Sequence, residues 1–532
     1  MDHGSFTNAI FVYPDSYDKN FLGMDTCDSS TPNNDQSIKC SYQSPIFTDQ
    51  HRLEKIKNVL PTLQNYFQNV FGENHFPGLA YGLVVDGQLF HSHCFGYTNL
   101  EQQIPVNTKS LFRIASMTKS FTAMAIVKLR DDDQLRLDDP IDQYIPELKM
   151  TDLLTKDAPI LTIQHLLTQD AGMPEDDPWA DRQLAISDDD FLSMLRKGIT
   201  LSNPPGSVWE YTNLAYAMLG RIITVVSQVP YQEYITREIL VPLGMTNTVW
   251  EYSEAPLDLL AQGYRWQSDR YLREDLLHDG TYGAMGGLMS SIEDFSKYIS
   301  YHLQAWPARD EAEYGPIRRS SLREMHHPRN FIELGKSANN PNLFLTSAYC
   351  YGLIWSKTSD GRITVDHTGG LPGFGSNWLI LPEYGIGLVS FANNTYAGLH
   401  NTNATIMGQL ITEADLKPRQ LPVSNHLSER KQQLIKLVLE EHWNFDESHK
   451  PVIFAENFFL DESLERRKSS SKELLKEAGE ILVIGEVIPK NQLRGHFDIQ
   501  GAHNTIRIAF SLSPENPPLI QELALSKMTT SS

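Results

Sequence analysis

The sequence predicts an α/β fold with a second, smaller α+β domain behind it. Three observations carry this expectation. A strand-turn-strand pattern lies near residues 78–96, and a second group of strand patterns runs over residues 349–391. Between them the chain is helical and turn-rich, so one sheet is assembled from both ends of the first 415 residues with a mainly helical region inserted. Past the two prolines of Leu416-Lys417-Pro418-Arg419-Gln420-Leu421-Pro422, helix and strand patterns start afresh. The expected organisation is an extended lead-in over 1–50, a main domain over 51–415, a linker over 416–426 and a small α+β domain over 427–532.

Length and composition narrow the classes of function. A chain of 532 residues, 41% hydrophobic and 21% charged, builds two or three ordinary globular domains. Its formal net charge of -21 argues against a nucleic acid or an anionic membrane surface as partner. No apolar run reaches the eighteen or so residues of a membrane span. Met1-Asp2-His3-Gly4-Ser5-Phe6 lacks the basic and apolar regions of a signal peptide. Cytoplasmic residence is the default expectation, and periplasmic or secreted residence the expectation if a leader was removed. Of the four cysteines, Cys27 and Cys40 flank a turn-rich loop that could close as one bridge or stay as two thiols.

In chain order, Leu53, Ile56, Val59, Leu60, Leu63 and Phe67 give one apolar side to a helix over 51–70. Asp86-Gly87 is a hairpin turn between Gly78–Val85 and Gln88–Gly96. His91, His93 and Cys94 fall on both faces of the returning strand, which favours packing over a metal site; no metal and no cofactor are expected. A helix almost wholly apolar follows Ser116. Thr162 is the expected N-cap of a short helix ending at Gly172, and Asp188-Asp189-Asp190 are expected to supply an N-cap and N-terminal charge for the helix through Leu195, not a cation site. Pro204–Asn213 is a loop leading into a helix, and Gly283–Ser291 a Gly-rich turn before a helix from Ile292. Strands are expected at 351–355, 363–370, 378–381 and 386–391, and a closing helix at 401–413. Beyond the linker, helices near 427–443 and 457–477 precede four strands at 480–487, 492–499, 504–511 and 518–525. The basic and serine run Arg466–Lys472 reads as a solvated helix face.

Chemistry concentrates at Ala115-Ser116-Met117-Thr118-Lys119-Ser120. Three positions apart at a helix start, Ser116 and Lys119 project from one face. A serine hydroxyl becomes a nucleophile when a base takes its proton, and lysine serves as that base once burial lowers its pKa. Alone the spacing is weak, because an exposed serine and a solvated lysine give the same pattern. Tyr211 and Asn213 sit at a loop-to-helix junction, where a hydroxyl and an amide can be presented together, or where an aromatic anchor stands beside an N-cap.

Taken in order, Ser116-x-x-Lys119, Tyr211-x-Asn213 and His367-Thr368-Gly369 resemble the serine β-lactamase and penicillin-binding superfamily, on the class C β-lactamase, D-aminopeptidase and family-VIII esterase side. Phe112–Ser116, Gly206–Asn213, Val241–Thr246 and Gly286–Ser291 agree with the same resemblance, which runs over about residues 75 to 415. It implies an antiparallel sheet flanked by helices and an acyl-enzyme on Ser116. Lys119 and Tyr211 would share the proton transfers, with the acylation base left open between them. The backbone N–H groups of Ser116 and Gly370 would form the oxyanion hole, Asn213 would bind the acyl-side amide, and His367, Thr368 and Gly369 would dock the substrate.

One departure is His367, which stands where β-lactamases and transpeptidases carry lysine. Histidine is only partly charged near neutral pH, so a carboxylate substrate bound through it should bind more weakly as pH rises through about 6.5. The resemblance therefore points to hydrolysis of an ester, an amide or a D-amino-acid peptide. Acyl transfer, true β-lactamase activity and a non-catalytic binding or regulatory protein are the alternatives. The expected partner is a small-molecule ester, amide or peptide, with assembly as a homo-oligomer left open.

Overall fold

A computed structural model describes residues 42–149, 153–337, 340–445 and 452–528. Cys27 and Cys40, and with them most of the expected lead-in, lie outside the described residues. The first helix, α1 (Arg52–Glu73), carries Ile56, Val59, Leu63 and Phe67 on its buried stripe. It leads into the hairpin of β1 (Gly78–Val85) and β2 (Gln88–Asn99), turned at Asp86 and Gly87, both with positive φ. A short β3 (Ile104–Pro105) pairs with β2. Then come the buried helix α2 (Thr118–Asp131), α3 (Asn213–Ser227) and α4 (Ile292–Gln304). Strands β4 (Asn330–Ser337), β5 (Asn340–Tyr349), β6 (Ile354–Thr358), β7 (Ile363–Leu371), β8 (Phe374–Leu381) and β9 (Ile386–Ala392) follow, closed by α5 (Leu399–Glu413).

The nine strands form one antiparallel sheet in the order β3-β2-β1-β9-β8-β7-β6-β5-β4. The early and late parts of the chain meet in the pairing of β1 with β9, from Leu79↔Ala392 to Val85↔Ile386. Alternation along β1 divides the core. Ala80 and Val84 join the layer shared with α2, α3 and α4, whereas Leu79, Tyr81, Leu83 and Val85 join the layer under α1 and α5. Phe67 stacks on Tyr81 with ring centroids 3.9 Å apart. The sheet is therefore covered on both faces, and α2, buried at all positions from Thr118 to Val127, is the centre of the front layer.

Several expectations need correction. The helix after Thr162 ends at Thr168, because Gln169 already takes the left-handed conformation, three residues before Gly172 does. The cap of Asp188–Lys197 is Ser187, whose Oγ accepts from the Asp190 N–H; the three aspartates occupy the first turn, where they favour the helix dipole. Strand structure begins at Asn330 and not at Tyr349. The hairpin of β4 and β5 was illegible because its outer strand has no buried face to impose alternation: Phe331 and Leu334 are exposed beside Glu333 and Lys336. A second small hairpin, Tyr264–Gln267 with Arg270–Arg273, also interrupts the helical region.

After the prolines, Arg419 and Gln420 are held by backbone hydrogen bonds to Glu383 and Ile46. The last part of the chain contains α6 (Asn425–Ile435), continued by Lys436–Glu440, a short helix at Phe458–Asp461, and α7 (Leu464–Ala478). Five strands follow where four were expected, β10 (Ile481–Ile484), β11 (Ile488–Asn491), β12 (Arg494–Gly501), β13 (Thr505–Leu512) and β14 (Ile520–Lys527). Their antiparallel sheet shares no strand with the first among the described residues, and its own core is built from Leu427 to Leu523. Within the run Arg466–Lys472, Arg467 and Ser471 are buried: Arg467 lies over the Phe458 ring, and Ser471 accepts from Trp443 Nε1 at 3.1 Å.

Candidate active site

The serine turn is built by backbone strain and close approach. Ala115–Met117 is a 3₁₀ turn leading into α2, and Ala115 holds φ 49°. Gly369 of β7 packs so tightly on this turn that a Cβ there would overlap the Ile114 carbonyl oxygen. Ser376 Oγ donates to the same carbonyl at 2.8 Å. These contacts fix β7 and β8 beside Ser116, whose side chain is half-buried.

Lys119 is fully buried, and its Nζ lies 3.0 Å from Ser116 Oγ, 2.6 Å from Asn213 Oδ1 and 2.9 Å from the Met285 carbonyl oxygen. The same nitrogen sits 4.9 Å from the centre of the Tyr211 ring. Burial disfavours the ammonium and lowers its pKa to about 8, although Asp177, Asp176 and Asp181 pull the other way. Desolvation wins because the lysine is sealed whereas the carboxylates act from a distance. Tyr211 moves oppositely. Burial, with Tyr349 and Asp177 nearby, raises its hydroxyl well above the ordinary value, against a hydrogen bond with Ser116. Near neutral pH, then, Tyr211 keeps its proton and a fraction of Lys119 has lost one.

The Tyr211-Thr212-Asn213 segment is held by residues that the sequence did not reveal. Gln169 clamps Thr212 from both sides: its Nε2 donates to the Thr212 carbonyl and its Oε1 accepts from the Thr212 N–H, each at 3.0 Å. Asp176 caps α3 from a distant loop, accepting from the Asn213 N–H at 2.6 Å and the Leu214 N–H at 3.0 Å. Asp177 accepts from Asn213 Nδ2 at 2.6 Å, which aims the amide oxygen at Lys119. Asp181, buried and raised to about 7 mainly by desolvation, accepts from the Tyr396 hydroxyl at 2.8 Å. Tyr396 in turn lies against Gly370. The one available signal was the acidic stretch Glu175-Asp176-Asp177-Pro178, which has neither helical nor strand periodicity of its own.

His367 is buried on β7 between aromatic rings, 6.3 Å from Tyr211 and 6.2 Å from Tyr349 by ring centroids. Its Nδ1 donates to the Thr368 carbonyl at 2.6 Å, leaving Nε2 to accept from the Tyr349 hydroxyl at 3.4 Å. Burial and the neighbouring Lys119 push its pKa down to about 4. The partly charged anion receptor expected of this histidine is therefore replaced by a neutral imidazole at pH 7. The structure thus gathers Ser116, Lys119, Tyr211, Asn213 and His367 at one locus, with Thr368, Gly369 and Gly370 on the adjoining stretch of β7. Among the described residues no group of three or more His, Cys, Asp or Glu is placed to hold a metal, and no helix is long and apolar enough to cross a membrane.

An antiparallel sheet covered by helices on both faces, with a serine in the turn before the central front helix and a lysine in its first turn, is the plan of the serine β-lactamase and penicillin-binding superfamily. The Beta-lactamase family model matches residues 63–410, more than half of the chain, and the chain belongs to that family. Protein flp of Staphylococcus aureus (strain N315) is 28% identical over 325 residues, covering 60% of this chain and 60% of that protein. The octameric penicillin-binding protein homologue from Pyrococcus abyssi superposes with a TM-score of 0.55 at 21% identity, covering 89% of this chain and 96% of the other. A class C β-lactamase from Rhodobacter sphaeroides gives 0.52 at 21% identity, over 66% of this chain and 98% of its own. The chain thus spans about 60% of the length of the staphylococcal relative, and the two structures speak for the fold.

Proposed function

We propose that this protein hydrolyses an ester or an amide, including D-amino-acid peptides, through an acyl-enzyme on Ser116, with Lys119 as the base of acylation. One observation carries the reading, the three-way environment of Lys119 Nζ. Asn213 Oδ1 and the Met285 carbonyl only accept. A neutral amine donates its two protons to them, and its lone pair then faces Ser116 Oγ at 3.0 Å. The serine proton passes to that nitrogen as Oγ attacks the substrate carbonyl. Tyr211, which keeps its proton, supplies one to the leaving group, and the resulting phenolate activates water for deacylation. The N–H groups of Ser116 and Gly370 stabilise the oxyanion, and Asn213, Thr368 and Gly369 align the substrate. The neutral His367 supports esters and amides over β-lactams, because it provides no fixed cation for a β-lactam carboxylate.

The domain reading belongs to the same proposal: residues 51–415 are the hydrolase, and 427–532 form a small domain that shapes the cleft or an interface. The likeness to the archaeal octameric homologue covers 89% of this chain, more than residues 1–415 alone make up, and this supports a homo-oligomer using both parts. The catalytic reading is tested by intact-mass spectrometry after mixing with p-nitrophenyl acetate and, separately, with a penicillin. An acetyl adduct on the native chain that is missing from Ser116→Ala is expected. No adduct and no nitrophenol release would overturn it in favour of a binding protein of this fold.

A further inference from the structure

A second cavity lies on the opposite face of β7, between the sheet and α5, with a volume of about 410 Å³. That is within the range of ordinary small-molecule sites. Its walls include Leu345 from β5, Leu379 and Leu381 from β8 and Met407 from α5. Two buried acceptors line it. Asp366, 2% exposed, has an Oδ1 that accepts no hydrogen bond; its ion-pair partner is Nδ1 of the partly exposed His400, at 3.5 Å. Gln409 Oε1 is likewise buried and accepts none. A shielded acceptor without a hydrogen-bond donor is unfavourable. Evolutionary cost aside, such atoms state what the cavity asks of a ligand: N–H or O–H groups, not further acceptors.

The polarity of the rest agrees. Arg362, the cavity's arginine, is committed to Asp360 at 2.7 Å, so it is not held in reserve for an anion. His400 and Gln409 are nine residues apart on one helix, about 13 Å at 1.5 Å per residue, with the apolar wall between them. We propose that this cavity binds an aliphatic primary amine, its ammonium against Asp366 Oδ1 and its chain along Leu379, Leu381 and Met407. The site is separate from Ser116, and binding there requires no acyl chemistry.

The test uses octylamine, octanol and octanoate with the full chain, read by calorimetry and by thermal shift. Octylamine should bind saturably and raise the melting temperature, octanol should bind at least about tenfold more weakly, and octanoate should not bind. Gly408→Leu adds a side chain to the cavity wall at a position where its Cβ meets nothing within 4 Å. It should melt normally alone yet lose octylamine binding at least tenfold. Asp366→Asn should lose the preference for amine over alcohol. Octanoate binding as well as octylamine, or octylamine binding unchanged in Gly408→Leu, would overturn the proposal.

Discussion

The two faces of β7 place an imidazole in opposite surroundings. In front, His367 shares its pocket with Lys119, and burial plus that positive neighbour hold it neutral. Behind, His400 lies beside the Asp366 carboxylate, which raises its affinity for a proton. Two residues of one type, tied to adjacent positions of a single strand, thus have their proton affinities shifted in opposite directions by what faces them. The identity of a titratable residue in a motif says less than its nearest charge and its access to water.

The sharpest way to separate the faces is to disable each. Ser116→Ala or Lys119→Ala should lower ester turnover by about 10³–10⁴, by analogy with loss of a nucleophile or its base. Gly408→Leu behind the strand should leave turnover within about twofold; comparable losses on both sides would erase the distinction.

Stability against pH probes the same contrast. Because the folded state holds His367 near 4 while the unfolded chain protonates near ~6.5, stability is present above ~6.5 and falls as pH drops toward 4, by about 3 kcal/mol in all. His367→Gln should flatten that acid limb in denaturant titrations. For His400 the sign reverses. Its raised pKa stabilises the fold below ~6.5, and this contribution is lost as pH rises through the folded value. His400→Gln should remove a smaller slope on the alkaline side, since the side chain is partly exposed.

Within the front face, Asp176→Ala should cost about 1–2 kcal/mol, the ordinary loss for a helix cap, and reduce turnover by loosening Tyr211 and Asn213. The smallest effect is expected from Asp177→Asn. Turnover should rise with pH through about 8 as Lys119 loses its proton, and removing a carboxylate that raises this pKa moves the midpoint down. A midpoint that stays in place or moves up would show that Asp177 acts on Lys119 only by positioning Asn213.

What was legible in the sequence follows from range. The hairpin at Asp86-Gly87, the buried α2 and the spacing of Ser116 and Lys119 are written within a few residues of themselves, and the structure bears out the sheet and the superfamily they pointed to. Asp176 and Gln169 could not be read in this way. Asp176 caps a helix that starts 37 residues later, and Gln169 clamps Thr212 over 43. Nor could the charge of His367 be read from its place in a motif, because it depends on which side chains close over it.

The pairing of β1 with β9 also has a consequence for synthesis. This strand contact joins residues 78–85 to 386–392, so about 300 residues separate its partners. A ribosome adding 5–20 residues per second needs about 15–60 s to bridge that interval. For most of that time Ser116 and Lys119 have already been made, but β7 (Ile363–Leu371), which packs on the serine turn, has not. A truncated or half-translated chain therefore carries Ser116 and Lys119 without the strand that packs beside them, and the candidate site is complete only after the sheet has closed.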